Sequence, residues 1–192
     1  LGTVALIGAW RLQLSTHISE LGLQRLSGVW LVWGAGWWAL AWGAEILRFA
    51  PANLQATLLL TAIALSVALW TLLALRLKWA SLGVLCLALI PAAALVLLGA
   101  LHSRYHPAAN FGWLVWTALF AVHWLSLRRL APMLPAQAVS VAHVLGCWLL
   151  IGLLALELRY GLLLLSEYYN AWRWLGWAII PSLYLLLMAA PR

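Results

Sequence analysis

The residues that could do chemistry in this sequence are a few acids, histidines and arginines near the ends of long apolar segments. Glu157 and His106 are the candidate catalytic residues, because a carboxylate or an imidazole can act as a general base. Further polar residues are predicted to share their membrane surface, and the arginines among them can hold a phosphate or carboxylate through paired hydrogen bonds. These candidate binding residues are Glu45, Arg48, His102, Arg104, Arg159, Glu167 and Arg173.

The same residues also fit a structural interpretation, in which ion pairs anchor helices at the membrane surface. Glu45 and Arg48 are three positions apart, which places them on one helix face and predicts such a pair. No motif fixes where these residues lie relative to one another. On the sequence alone, a polar binding site and a set of anchoring ion pairs both remain open.

Two histidines, His123 and His143, lie deeper in apolar segments, on either side of a turn that contains Arg128 and Arg129. In an antiparallel helix pair they reach a similar depth. Two facing histidines can ligate a b-type haem, with the arginines near its propionates. The alternative is a pair of structural histidines that hydrogen-bond to polar neighbours. Beyond this histidine pair, the sequence predicts no cofactor and no metal site.

The usual catalytic motifs do not occur in the sequence. It contains no HExxH, GxSxG, P-loop or CxxC pattern. The two cysteines, Cys86 and Cys147, lie in apolar segments and are predicted to be small buried thiols. These observations favour a protein that is not an enzyme.

The composition requires a membrane as the solvent. Hydrophobic residues make up 67% of the 192 residues and charged residues only 8%, against about 25% in soluble domains. The formal charge of +7 comes from basic residues that stand singly or in pairs, without the basic stripe that nucleic-acid binding needs. We therefore expect membrane lipids as partners and no nucleic acid.

Six apolar segments are long enough to cross a bilayer, which takes about 20 helical residues. Because hydrocarbon tolerates only backbones that satisfy their own hydrogen bonds, these segments are predicted to be helices. The predicted fold class is therefore all-α, a polytopic transmembrane helix bundle of about six spans built from antiparallel hairpins. The predicted spans are residues 26–49, 53–77, 80–101, 110–127, 136–160 and 170–190.

The chain is predicted to have two parts. Residues 1–25 comprise a partial helix and an interfacial amphipathic segment, and residues 26–192 form the six-helix transmembrane domain. Pro91, inside a span, predicts a kink. The sequence is also rich in tryptophan, with 15 residues, and a tryptophan near mid-span such as Trp38 is expected to need a partner for its N–H.

Two predicted turns are alike. Residues 48–53 and 104–110 both contain an arginine, an aromatic residue, a proline, an alanine and an asparagine in that order. A repeated helical hairpin explains this spacing, although two spans with two short loops produce a similar period without duplication. Asn53, Asn110 and Asn170 are each predicted to cap the helix that follows.

Two stretches carry a family resemblance. The first runs from Gly112-Trp113 through His123-Trp124 to Arg128-Arg129, and the second, residues 143–158, holds His143, Trp148 and Glu157 among leucines and glycines. Both resemble a family of large, predicted bacterial inner-membrane proteins of unknown function. The resemblance implies a multi-pass location in the bacterial inner membrane, an array of hairpins, and a chain that is a portion of a longer one. It supplies no activity.

The expected function is a non-enzymatic scaffold or transport-like module that handles an envelope lipid or glycan. Its expected partners are membrane lipids, and other membrane subunits or the remainder of a longer chain. One alternative is a transferase or hydrolase that acts at the outer leaflet on a lipid-linked substrate. The other is a membrane protein that binds a b-type haem through His123 and His143.

Overall fold

The structure, a computed structural model, describes residues 2–14, 20–101, 106–166, 178–179, 182–186 and 189. Within these residues every regular element is a helix, which confirms the all-α class. The elements are α1 Gly2–Leu14, α2 Glu20–Phe49, α3 Ala52–Leu77, α4 Ala80–Cys86, α5 Leu89–Ala100, α6 Gly112–Leu130, a 3-10 turn at Ala131–Met133, and α7 Ala136–Ser166.

Three helical stretches in the described part of the chain are long and apolar enough to cross a membrane. They are Ala52–Leu77, Ala80–Ala100 and Ala136–Leu165, which correspond to α3, to α4 with α5, and to α7. Six spans in antiparallel hairpins remain a prediction. The predicted span 170–190 lies largely outside the described residues, and the predicted domain boundary at residue 25 falls within α2.

The predicted kink at Pro91 appears as a break between α4 and α5. Proline has no N–H to donate to the carbonyl of Leu87, so the preceding turn cannot continue as a regular α-helix. The backbone N–H groups of Leu87 and Ala88 instead bond three residues back, to the carbonyls of Val84 and Leu85, each at 3.0 Å.

The core lies around α3, which packs against α2, α4, α5 and α6. Side-chain hydrogen bonds connect α3 to its neighbours: Thr71 Oγ1 donates to Ser126 Oγ of α6 at 2.9 Å, and Trp38 Nε1 of α2 donates to Ser66 Oγ at 2.9 Å. The bond to Ser66 confirms the prediction that the Trp38 N–H has a partner. Among the described residues, the largest side chains that are fully buried are Leu60, Leu82, Leu89, Leu119 and Leu130.

The predicted asparagine caps are wrong at the two described positions. Asn53 lies inside α3, which begins directly after Pro51, and no side chain caps that end. Asn110 lies before α6 with a φ of 50°, and its Nδ2 donates to the backbone carbonyl of Asn53 at 2.9 Å. At Asn53 the reason is that Pro51 already occupies the N-cap position, two residues before the predicted cap. Asn170 lies outside the described residues.

The two cysteines differ in their surroundings. Cys86 is buried, as predicted, and its thiol donates to the carbonyl of Leu82 at 3.3 Å. Cys147 is exposed, so the prediction of a buried thiol is wrong there.

Candidate functional site

The loop that precedes α6 positions the candidate catalytic residues. Asn110 and Phe111 adopt left-handed backbone conformations, with φ of 50° and 66°, and turn the chain into the helix. A Cβ at Gly112 would overlap the carbonyl oxygen of Pro107, so only glycine allows the loop to fold back this closely. Through Asn110, the loop is also bonded to the start of α3.

Glu157 on α7 holds this loop from the other side. Its Oε1 accepts a hydrogen bond from the backbone N–H of Ala108 at 2.6 Å, and its Oε2 lies 3.0 Å from Nδ1 of His106. Tyr160, one turn further along α7, stacks on the His106 ring with centroids 4.2 Å apart and an interplanar angle of 6°. The two predicted catalytic residues are therefore brought together.

The Glu157–His106 pair can do two kinds of chemistry. A carboxylate beside one imidazole nitrogen fixes the orientation of the ring, and an oriented imidazole can act as a general acid or base. The two side chains are also partly exposed, 31% for His106 and 29% for Glu157. The exposed part of this pair can hydrogen-bond to a ligand.

Glu157 also stands at one end of a groove between α6 and α7, which we call the α6–α7 groove. These helices contact each other at few residues, and the groove between them has a volume of about 560 Å³. Its walls are mainly aromatic and aliphatic: Trp113, Trp116, Phe120, Trp124, Leu150 and Leu154. At the other end it is lined by His123 and His143.

Two buried nitrogen atoms in this lining have no hydrogen-bond partner in the described part of the protein. They are Nε1 of Trp116 and Nε2 of His123, on side chains that are 3% and 7% exposed. An unsatisfied buried donor or acceptor costs about 1–3 kcal/mol. Both residues lie on α6 seven positions apart, which is two turns and hence one face. Both nitrogen atoms are themselves buried and lie beneath the apolar wall of the groove.

His123 and His143 are adjacent, with ring centroids 6.3 Å apart and an interplanar angle of 74°. The Nε2 atom of His123, however, faces the backbone of α7 at Gly146, where an added Cβ would lie 2.8 Å from it. A haem iron bound to this nitrogen would need its macrocycle where the α7 backbone lies. The arrangement does not fit a haem ligated by these two residues.

A second cavity borders the same loop. It has a volume of about 730 Å³, and its polar lining includes Asn53, Gln55, His106, Asn110 and Tyr160. The amide of Gln55 donates to the carbonyls of Leu47 and Ala50 at 3.3 and 3.1 Å, so it holds the turn between α2 and α3. This cavity lies on the His106 side of the pair, whereas the α6–α7 groove is lined by Glu157.

The other predicted site residues do not join this arrangement. Glu45 and Arg48 are exposed on α2 and form no ion pair within 4 Å, so that predicted pair is wrong; Arg48 instead lies over the Phe49 ring, 5.2 Å from its centroid. Arg159 is exposed and does not line the groove. The remaining candidates lie outside the described residues: His102, Arg104, Glu167 and Arg173.

Sequence reasoning missed three contributors to the site. Ala108 acts through its backbone N–H, which no side-chain pattern shows. Gly146 has no Cβ, and this leaves room for the His123 ring against α7. Trp116 could have been found, because it lies two helical turns before His123 and so shares its face.

Three helical stretches long and apolar enough to cross a bilayer are typical of an integral membrane protein. The chain belongs to the family described as "Predicted membrane protein (DUF2339)", whose model matches residues 5–192. This confirms the resemblance to a membrane protein family of unknown function. No curated protein and no solved structure matches the chain.

Proposed function

We propose that this protein is a transport-like module of the bacterial inner membrane that binds an envelope lipid, or a lipid-linked glycan, in the α6–α7 groove. The headgroup lies at the Glu157 end and the hydrocarbon chains lie along the groove. The observation that carries the proposal is one continuous apolar groove that ends at a polar pair, Glu157 and His106.

The dimensions of the groove support a lipid as its occupant. Glu157 and His143 both line it and are fourteen residues apart on α7, which is about 21 Å along a helix. This is about two thirds of the roughly 30 Å hydrocarbon core. A lipid tail of one leaflet therefore fits within the length of the groove.

The exposure of the walls supports entry from the membrane. Trp113, Trp124 and Leu154 line the groove and are 61%, 52% and 58% exposed. Apolar side chains this exposed need hydrocarbon around them, because water would make the surface unfavourable. The groove is therefore open sideways, and a lipid can enter it without leaving the bilayer.

Photo-crosslinking tests the proposal. The full chain in nanodiscs is irradiated with a phosphatidylethanolamine that carries a diazirine in its acyl chain, and the crosslinked peptides are mapped by mass spectrometry. We expect crosslinks to concentrate on α6 and α7. Leu154→Trp fills the groove and lowers them, whereas the control Leu65→Trp, on an exposed position of α3 outside the groove, does not. Equal labelling of α3 and the groove, unchanged in Leu154→Trp, would refute the proposal.

A second candidate function is supported by the Glu157–His106 distance of 3.0 Å. In it, the protein is a transferase or hydrolase for a lipid-linked substrate, with His106 as the base. Both carboxylate oxygens of Glu157 already contact the loop, which suits positioning better than direct catalysis. For an enzyme, His106→Ala abolishes function in cells while lipid crosslinking in the groove persists. A silent His106→Ala in folded, accumulated protein excludes it.

A further inference from the structure

We propose that the second cavity, which we call the loop cavity, binds an uncharged, hydroxyl-rich sugar as the headgroup of a lipid whose tails lie in the α6–α7 groove. The inference deepens the proposed function by naming the headgroup, and it rests on that function for the position of the tails. It is carried by polar atoms that are accessible and without partners in a cavity of about 730 Å³.

The loop cavity is built from parts of the chain that lie far apart in sequence. Its walls are the last turn of α2, the first two turns of α3, the second half of α5, the loop at residues 106–110, and Tyr160 of α7. The hydrogen bond from Asn110 Nδ2 to the carbonyl of Asn53, at 2.9 Å, ties the loop to α3. Sites for small molecules have volumes of about 300–1,000 Å³, and the loop cavity lies within this range.

Four polar side-chain atoms in the lining are available to a ligand. They are Gln55 Oε1, Thr57 Oγ1, His106 Nε2 and Tyr160 Oη, each on a half-buried side chain. None of them has a hydrogen-bond partner among the described residues, and none is a buried atom. The Gln55 amide is already held in place, because its Nε2 donates to two carbonyls of the turn between α2 and α3.

The types of these atoms favour an uncharged ligand with hydroxyl groups. A hydroxyl both donates and accepts, an amide oxygen accepts, and an imidazole nitrogen does one or the other according to its tautomer. A sugar hydroxyl can pair with each of them. The described lining contains no lysine, arginine, aspartate or glutamate, which a charged group would need as its partner.

The aromatic part of the lining suits a sugar ring as well. His106 and Tyr160 are stacked, with centroids 4.2 Å apart and an interplanar angle of 6°, so they form one rigid aromatic unit at the cavity. Aromatic rings combine an apolar body with a polar tip, and a sugar ring likewise has apolar C–H faces between polar hydroxyls. The cavity therefore complements both kinds of surface on a sugar.

The loop cavity and the α6–α7 groove meet at the loop. Pro107 lines both of them, and Glu157, which lines the groove, lies 3.0 Å from His106, which lines the cavity. Tyr160 follows Glu157 by three residues, which is about one turn of α7. Because a single loop separates the two spaces, one lipid can place its headgroup in the cavity and its tails in the groove.

Photo-crosslinking with two sugar probes tests the site. The full chain in nanodiscs is irradiated with a glucosyl diacylglycerol that carries a diazirine on its sugar, or with the methyl glucoside that carries the same diazirine. Labelled peptides are mapped by mass spectrometry. We expect the glycolipid to label the beginning of α3 and residues 106–110, and the methyl glucoside, which lacks tails, to leave them unlabelled. Unlabelled glucosyl diacylglycerol should displace the label, and phosphatidic acid should not.

Two pairs of variants locate the site. Thr57→Val removes one lining hydroxyl and should raise the mole fraction of glycolipid for half-maximal labelling about fivefold, the effect of one lost hydrogen bond. Thr61→Val, the same change one turn further along α3 and outside the lining, should have no effect. Gly99→Phe fills the cavity, since an added Cβ meets no atom within 4 Å, and should abolish labelling. Gly43 is equally open but lines neither space, so Gly43→Phe should not.

The outcomes separate this inference from the proposed function. Sugar probes that label the loop cavity no more than the rest of the chain, while phosphatidylethanolamine still crosslinks to the α6–α7 groove, overturn the sugar site and leave lipid binding standing. Loss of the groove crosslinks while the sugar label persists overturns lipid binding in the groove.

Three further results would also contradict the assignment. Displacement of the label by phosphatidic acid would overturn the uncharged class of ligand. Equal labelling by the methyl glucoside would identify a free sugar as the ligand and overturn the lipid headgroup. Equal half-maximal values for Thr57→Val and Thr61→Val would overturn the role of the lining. Circular dichroism and gel filtration establish that each variant is folded.

Discussion

Replacing Glu157 tests whether this carboxylate holds the loop before α6. Glu157→Ala removes the acceptor of the Ala108 N–H, at 2.6 Å, and the partner of His106, at 3.0 Å. A hydrogen bond to a charged group contributes about 1.5–3 kcal/mol, and a partly exposed ion pair adds at most about 1 kcal/mol. We expect a loss of about 3 kcal/mol in the free energy of unfolding.

Thermal unfolding in mild detergent, followed by circular dichroism, measures this loss. For a chain of this size 1 kcal/mol corresponds to about 2–4 °C, so Glu157→Ala should lower the midpoint by about 6–12 °C. Glu157→Gln keeps an oxygen for the Ala108 N–H but loses the charge, and should give about half of that shift. The control is Glu45→Ala, an exposed acid without an ion pair in the described structure, for which we expect a change within about 0.5 kcal/mol.

Two results would refute this reasoning. If the melting midpoint of Glu157→Ala equals that of Glu45→Ala, the Glu157 carboxylate does not stabilise the fold through the loop. If Glu157→Gln is as damaging as Glu157→Ala, the bond from Ala108 contributes nothing, and the effect belongs to charge alone.

Three further predictions concern close packing and exposure. Gly112→Ala displaces the loop before α6 and should lower stability by about 1–3 kcal/mol; an unchanged melting midpoint would contradict the packing. Gly146→Ala places a methyl 2.8 Å from His123 Nε2 and should cost about 1–3 kcal/mol, largely recovered in a His123→Ala background; additive losses in the double-mutant cycle would contradict it. A membrane-permeant maleimide should label Cys147 in the folded protein and Cys86 only after unfolding, as read by mass spectrometry; early labelling of Cys86 would show a looser core.

Two residues of the candidate site could be predicted because their type and their immediate sequence neighbours already distinguish them. Glu157 and His106 stand out as ionisable residues next to apolar segments, where a charge is expensive and rarely kept without a role. The structure brings them together at 3.0 Å. Glu45 and Arg48 carry the same kind of signal, yet they form no ion pair, because helical spacing permits a surface contact without providing the energy to hold it.

The sequence by itself determined that the chain is an all-helical membrane protein. Long apolar runs exclude water as the solvent, and only a helix satisfies its own backbone within hydrocarbon, so α3 and α7 follow from composition and length. Pro91 likewise determined the break between α4 and α5, because a missing N–H acts on its own helix.

Only the tertiary structure decided which polar groups meet and where a groove opens. The hydrogen bond from the Ala108 backbone to Glu157 joins residues 49 positions apart. The position of the His123 ring against α7 depends on the absence of a Cβ at Gly146. Neither is encoded by spacing along one helix. Hydrophobicity drives helices into the bilayer but is nearly indifferent to which apolar faces touch there, so close fits and hydrogen bonds between helices settle their arrangement.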